Sequence, residues 1–475
     1  MTINTKGLKF LEYFEELNQI PRCSGNEKEI SNFLKRFGEK LGLEVIQDDL
    51  LNIVIRKPAT KGYENSPGVI LQGHMDMVCE KDCDSNHNFF TDPIKIIEKD
   101  GFLIADKTTL GADDGIAIAM GMAILADNTL QHPEIELFVT TSEETDMSGA
   151  LGISNDILKG KMLINIDSEE EGILTVGSAG GVTILAEHDI VWEDADNKGI
   201  KLIFEGFKGG HSGMEINKNR GNILKVIAYF LKELSTKTDF RVSSFTAGSL
   251  DNAIPRSGEV ELTFSEIENI ESVIETIKEQ TIKQFSEVDG ELIISLEMVD
   301  KVDRVWSMDT TNDVIDMIQD MPTGVNTFVK DTDSVESSNN LASIREKNGV
   351  IYLENSVRSS SDKIKNDLAM KCAAVFEEHN FSYKMDMEYP GWEFSDKSAL
   401  KDLAEELYLE MYGKKFETIV VHAGLECGAI ASKYPAMDMI SIGPNITGAH
   451  TPKESMEIES AKRVYNFIVE LISRI

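Results

Sequence analysis

The stretch Val69-Ile-Leu-Gln-Gly-His-Met-Asp76 decides how this chain reads. Val69–Gln72 is strand-like, and a histidine and an aspartate stand where such a strand would end. In open α/β sheets ligands gather beyond the carboxyl ends of strands, so an apolar run ending in His-x-Asp suits a layered α/β domain. Working outward, Asp113–Ala126 reads as an apolar helix after a loop rich in Asp, Ser and Asn, and Ile135–Thr140 and Met162–Asp167 read as further strands. Upstream, Leu8, Leu11 and Phe14 share a helical face that Pro21 ends. Ser24 and Glu27 form a capping-box pattern before the periodic Ile30, Phe33, Leu34, Phe37 and Leu41. Leu43–Ile46 and Asn52–Arg56 are strand-like, and this alternation of strand and helix predicts an α/β/α domain.

Near Gly180 the texture changes to amphipathic strands and long charged helices, and after Pro390 it returns to helix (Ser398–Tyr412), strand (Thr418–Val421), helix (Leu425–Lys433), strand (Met437–Ile442) and a last helix from Glu457. The simplest organisation is one α/β domain, 1–181 and 390–475, interrupted by an inserted α+β domain, 182–389. The insertion carries a two-unit internal repeat of helix, strand, strand, helix: Asn222–Leu234, Phe240–Ala247, Glu259–Phe264 and Ile270–Phe285, then Thr311–Met321, Ser334–Glu346, Val350–Asn355 and Lys363–His379.

At 475 residues the chain is long enough for two or three domains. Its formal charge, 47 − 82 = −35, repels phosphate backbones, and with no Lys/Arg-rich run to offset it nucleic acid is a poor partner. No apolar run is long enough to span a bilayer, so no membrane partner is expected. Met1–Gln19 carries Glu12, Glu15 and Glu16 and lacks a basic region followed by an apolar one, and the five cysteines are odd in number and scattered. That pattern argues against a disulfide framework and points to the cytoplasm.

Chemistry concentrates in five stretches, each at a strand end or loop: Gly73-His-Met-Asp76, Gly111-Ala-Asp-Asp-Gly115, Thr141-Ser-Glu-Glu144, Asn165-Ile-Asp167 and Gly448-Ala-His450. Each alone is an ordinary solvated turn, whereas five together are hard to explain that way. Imidazole and carboxylate ligands suit zinc or a similar divalent ion. There are more carboxylates than one tetrahedral ion needs, and two ions ~3.5–4 Å apart sharing a bridging carboxylate would use them. In His-x-Asp the aspartate can orient a histidine through its other ring nitrogen, and adjacent Glu143 and Glu144 permit one to bind metal while the other takes a proton from water.

These stretches, with Gln72-Gly-His-Met-Asp-Met-Val-Cys-Glu-Lys, Leu110-Gly-Ala-Asp-Asp-Gly, Thr141-Ser-Glu-Glu-Thr and His450-Thr-Pro-Lys-Glu, resemble the M20 metallopeptidase family over essentially the whole chain. His422-Ala-Gly-Leu-Glu-Cys-Gly resembles its aminoacyl-histidine dipeptidase branch. The resemblance implies hydrolysis of small dipeptides (Xaa-His type and broader) by a zinc peptidase holding two Zn2+ per chain, with Co2+ or Mn2+ as substitutes. It implies that Asp113 bridges the ions, that His74 and Asp167 complete one site and Glu144 and His450 the other, and that the Asp113–Asp114 peptide bond is cis. Asp76 would orient a ligand histidine and Glu143 would be general base, then acid. The insertion would be a lid, with His211, Asn252, Arg358 and His422 facing substrate: His211 in Gly209-Gly-His-Ser-Gly213 to polarise the scissile carbonyl, Arg358 because a guanidinium fork matches a carboxylate. Dimeric relatives complete the site from a second subunit, so a homodimer stays open here. The alternatives are an M20-type deacylase or aminopeptidase on N-acyl amino acids or longer peptides, and a non-catalytic zinc-binding protein, against which Glu143 speaks. A zinc knuckle from Cys79, Cys83 and His87 lacks a fourth ligand, His422 and Glu426 can share a helix face at i, i+4, and Gly177-Ser-Ala-Gly-Gly181 falls short of a serine-hydrolase elbow.

Overall fold

The computed structural model describes residues 7–264, 270–288, 290–329 and 334–475, so Met1–Lys6 of the stretch read for an export signal lie outside the described residues. The chain forms two compact units: Met1–Ser178, Trp392–Val420 and Leu425–Ile475 make one, Ala179–Gly391 with Val421–Gly424 the other. The expected division gave all of 390–475 to the first domain. The short segment Val421–Gly424 sits with the second unit instead, where the Ala179 N–H donates to the carbonyls of Val421 and Ala423 at 3.0 Å each.

The first unit is built on an eight-stranded sheet in the order Glu44–Gln47, Ile53–Lys57, Ile135–Thr140, Val69–His74, Met162–Asn165, Asp438–Ser441, Ile173–Ser178, Glu417–Val421. Strands Ile135–Thr140, Val69–His74, Met162–Asn165 and Asp438–Ser441 run parallel, so their carboxyl ends share one edge. Side chains alternate across a strand, and five strands here feed two cores. Ile53, Ile55, Val69, Leu71, Leu137, Val139, Ile164 and Ile440 point to one face, and Val54, Ile70, Phe138, Leu163 and Met439 to the other. The Ala112–Ala126 helix is apolar all round and buried for nearly its whole length, as a helix enclosed by its neighbours must be. A four-stranded sheet of Ile446–Thr447, Ser455–Glu457, Phe102–Ala105 and Ile96–Lys99, unforeseen in the sequence, holds the His450 loop as a hairpin.

Three local expectations are corrected. The helix Lys28–Lys40 begins with Glu27, not Ser24, at its N-cap position and has no side-chain cap; the Ser24 hydroxyl donates 2.8 Å to the buried Asp76 carboxylate and Glu27 accepts from the N–H groups of Gly25 and Ser142. Cys23 and Cys79 form a disulfide, since Cys23 bridges to Met77 and brings the two thiols together, leaving Cys83, Cys372 and Cys427 free. His422 and Glu426 share no helix face, as the helix begins only at Glu426.

The second unit is a nine-stranded sheet whose main path runs Gly290–Trp306, Trp192–Phe207, Gly258–Phe264, Phe240–Ala247, Val335–Lys347, Val350–Ser359, Gly180–Asp189, Ser382–Tyr389, with Gly324–Phe328 also pairing Val335–Lys347. Counted outward from the central Phe240–Ala247 and Val335–Lys347 pair, both sides repeat one order: a hairpin partner, a strand from 180–207, then the strand after the next helix. Helices Ile223–Ser235, Ile270–Gln284, Met308–Asp320 and Asp362–Glu378 place their apolar residues in one core with this sheet. Among the described residues no helix is long and apolar enough to cross a membrane.

Candidate metal centre and candidate substrate-binding cluster

His74 ends its strand and is buried, with its parallel neighbour Thr140 leading into Glu143 and Glu144, and Asn165 leading into Asp167. The His74 Nδ1 lies 3.1 Å from the Asp76 carbonyl and 3.4 Å from its carboxylate, both acceptors, so Nδ1 carries the proton and the Nε2 lone pair faces outward. Around Nε2 stand Asp113 Oδ1 at 3.1 Å, Asp167 Oδ1 at 3.5 Å and Glu143 Oε2 at 4.0 Å. The other oxygen of Asp113, Oδ2, lies 3.1 Å from His450 Nε2, which also stands 3.0 Å from Glu144 Oε2. Five expected ligands therefore fall into two groups that meet at Asp113, whose bond to Asp114 is a cis peptide.

Asp76 does more than orient His74. One of its oxygens accepts the Glu143 N–H at 3.1 Å and the other the Glu144 N–H at 3.2 Å. Ser142, just before them, has φ +58°, a left-handed backbone uncommon for serine that turns both glutamates toward the cluster. Asp114 was passed over in the sequence. It is buried, accepts the His74 N–H at 3.2 Å, and with His74 and Asp167 forms a second set of donors that lie within 4.8 Å of one another, beside the set His74, Asp113 and Glu144. Gly73 is required here, because a Cβ there would come 2.3 Å from Asp114 Oδ2.

The cluster's charge tests whether cations fit. Burial works against ionised Asp113, yet hydrogen bonds from His450 and His74 hold its carboxyl well below the usual range. Four nearby acids move the other way. Burial raises Glu143 well above normal, Asp167 to about 6, Glu426 to about 7 and Glu169 to about 7, each pushed further by neighbouring carboxylates. His450 is raised to about 11 by its hydrogen bonds to Asp113 and Glu144. Buried carboxylates outnumber their cations, a costly arrangement that divalent ions relieve. The donor set fits such ions.

A second cluster lies within the second unit. His211 pairs with Ala253 on a short strand, and its Nδ1 accepts the N–H groups of Gly213 and Met214 at 3.1 Å each, which puts the ring proton on Nε2. A Cβ on Gly213 would meet the His422 carbonyl at 2.2 Å, so glycine permits the two histidine segments to approach. His422 Nε2 hydrogen-bonds Ser338 Oγ at 2.7 Å. Burial and the Arg358 charge push its imidazole down to about 3, and the same two causes lower His211. Arg358 is buried and donates from Nη1 to the Tyr389 hydroxyl at 2.7 Å, while its Nε has no partner. His211, Arg358 and His422 are thus brought together. Asn252 is exposed and contributes its backbone, accepting the Ser212 N–H at 2.7 Å. Ser338 and Tyr389 were missed: serine and tyrosine at strand positions carry no signal of their own.

Comparison with known proteins places this geometry among peptidases. The sequence pattern of "Peptidase family M20/M25/M40" matches residues 70–474. The cytosol non-specific dipeptidase of Escherichia coli (strain K12) is 33% identical over 472 residues, covering 98% of this chain and 97% of that protein. The crystal structure of aminoacylhistidine dipeptidase from Vibrio alginolyticus superposes with a TM-score of 0.90 at 32% identity, over 99% of this chain and 97% of that one. An M20 family metallo-carboxypeptidase from Sulfolobus solfataricus shares the fold alone, with a TM-score of 0.56 at 14% identity over 98% of each chain.

Proposed function

Because this chain belongs to peptidase family M20/M25/M40 and is a metallopeptidase, we propose that it is a dipeptidase working through two zinc ions held on Asp113. The observation that carries the reading is the division of the Asp113 oxygens, one 3.1 Å from His74 and the other 3.1 Å from His450. His74 and Asp167 would complete one site, Glu144 and His450 the other. Asp114 stands behind His74 as a further acid. Bound there, the ions would acidify a water and polarise the scissile carbonyl. Glu143, anchored through its N–H to Asp76 and raised by burial, would take the water's proton and return it to the leaving amine. His211 would offer Nε2–H to the developing oxyanion, and Arg358 its fork to the free carboxylate of the substrate. The full-length relative is named a cytosolic enzyme, which supports a cytoplasmic setting.

The test is a panel assayed with zinc- or manganese-loaded protein: free dipeptides including β-alanyl-histidine, C-terminally amidated dipeptides, tripeptides and N-acyl amino acids. Free dipeptides should be cleaved well and the other classes poorly. Equal rates on dipeptides and tripeptides would sink the dipeptidase reading. Preference for N-acyl amino acids would replace it with a deacylase.

A further inference from the structure

Glu454 follows His450 by four residues in the same hairpin and is 2% exposed, yet no step above uses it. Its two oxygens accept four consecutive backbone N–H groups. Oε2 takes those of Leu110 and Gly111 at 2.7 and 2.9 Å, and Oε1 those of Ala112 and Asp113 at 2.7 and 3.3 Å. From the opposite side Arg22, also buried, donates Nη2–H to the Gly111 carbonyl at 2.5 Å and Nη1–H to the Met75 and Asp76 carbonyls at 3.1 and 3.3 Å. The glycines of Gly111-Ala-Asp-Asp-Gly115 make room for that guanidinium, since a Cβ at either would lie 2.5 Å from Nη2. The backbone leading into Asp113 is therefore gripped on both sides by opposite charges that reach it only through peptide groups.

The two histidines differ in what holds them. His74 is fixed by Asp76 at Nδ1 and by Asp114 at its N–H, with no contact to Glu454. His450 sits in the hairpin that Glu454 fastens to the Asp113 segment, and it adopts φ +61°, a left-handed backbone that the hairpin must sustain. We propose that Glu454 is the positioning residue that sets the distance between His450 and Asp113 and so builds the metal site of His450 and Glu144, with Arg22 as the counter-anchor. This rests on the two-site reading above.

The experiment titrates metal-free protein with Co2+, following visible absorption and heat. Glu454→Gln keeps the shape of the side chain, but its amide nitrogen would face two N–H donors and release them. Unmodified protein should bind two ions. E454Q should bind the first with unchanged affinity and spectrum, and the second ~10–100-fold more weakly, the range typical when a residue that orients a ligand is lost. Glu454→Asp, which keeps charge and acceptors, should recover part of the second site, and it decides the matter should E454Q fail to fold. A purely structural role would weaken both ions together. Equal weakening of both sites, or unchanged binding of both, overturns the proposal. If unmodified protein binds a single ion, the two-site reading itself falls.

Discussion

The two candidate clusters are opposites in charge. In the first unit, carboxylates crowd around two histidines, and burial drives Glu143, Asp167 and Glu426 toward protonation. In the second, a buried guanidinium and two imidazoles gather, and burial with the Arg358 charge drives His211 and His422 toward neutrality. An ion pair that existed only for stability would place the two signs side by side. Here each cluster carries an excess of one sign, as the proposed reading requires: cations would complete the carboxylates, and an anionic group and a polarised oxygen would complete Arg358 and His211.

The comparison breaks most visibly at Glu143. Glu143→Gln removes the proposed proton acceptor while leaving the Asp113, His74, His450, Asp167 and Glu144 donors in place. It should lower kcat by ~10²–10⁴-fold or more with metal content unchanged. Elemental analysis beside steady-state kinetics checks this. Loss of metal rather than rate would exchange the roles of Glu143 and Glu144. A smaller effect is expected in the second unit, at Arg358. A hydrogen bond to a charged group contributes about 1.5–3 kcal/mol, so Arg358→Ala should cost on the order of 10–100-fold in kcat/KM for free dipeptides. C-terminally amidated dipeptides should lose far less. An equal loss for both would remove the carboxylate from the Arg358 assignment.

The same contrast governs what the sequence revealed. His74, Asp113, Glu144, Asp167 and His450 were legible because each follows or closes a recognisable element with a side chain whose chemistry is rare in such company. Glu454 and Arg22 act through backbone groups of distant segments, and nothing in their local sequence says which peptide they will grip. Ser24 shows the reverse failure. It has the spacing of a helix cap, but the helix begins only at Lys28, and its hydroxyl donates to a buried carboxylate 52 residues away. In the second unit the outline of helices and strands was readable from period alone. The sheet order was not, because Gly180–Asp189 and Trp192–Phe207 are neighbours in the chain and lie on opposite sides of the central pair. The disulfide was hidden for the same reason: Cys23 and Cys79 are 56 residues apart and meet only through the bridge from Cys23 to Met77.

The smallest effect concerns His422 and tests whether the second cluster is neutral by construction. Its imidazole is held down to about 3 in the folded chain, first by burial and then by the Arg358 charge, against a Val335 backbone contact that works the other way. In the unfolded chain an imidazole titrates near ~6.5. Above that value neither state is protonated and His422 adds no pH dependence. Below it the unfolded chain binds a proton that the folded chain refuses, so stability is lost as pH falls from ~6.5 toward the folded value, by at most about 1.4 kcal/mol per pH unit. His422→Asn can keep a hydrogen bond to Ser338 but cannot take the proton. Hydrogen exchange across Val335–Lys347 and Val350–Ser359 is measured from about pH 6.5 down to about 4.5 in the unmodified chain and in H422N. The pairing isolates this difference from the titration of carboxylates common to both proteins. The unmodified chain should lose protection more steeply than H422N. Parallel slopes would mean that His422 accepts its proton in the folded state, and that the second cluster carries more positive charge at mildly acid pH than its geometry implies.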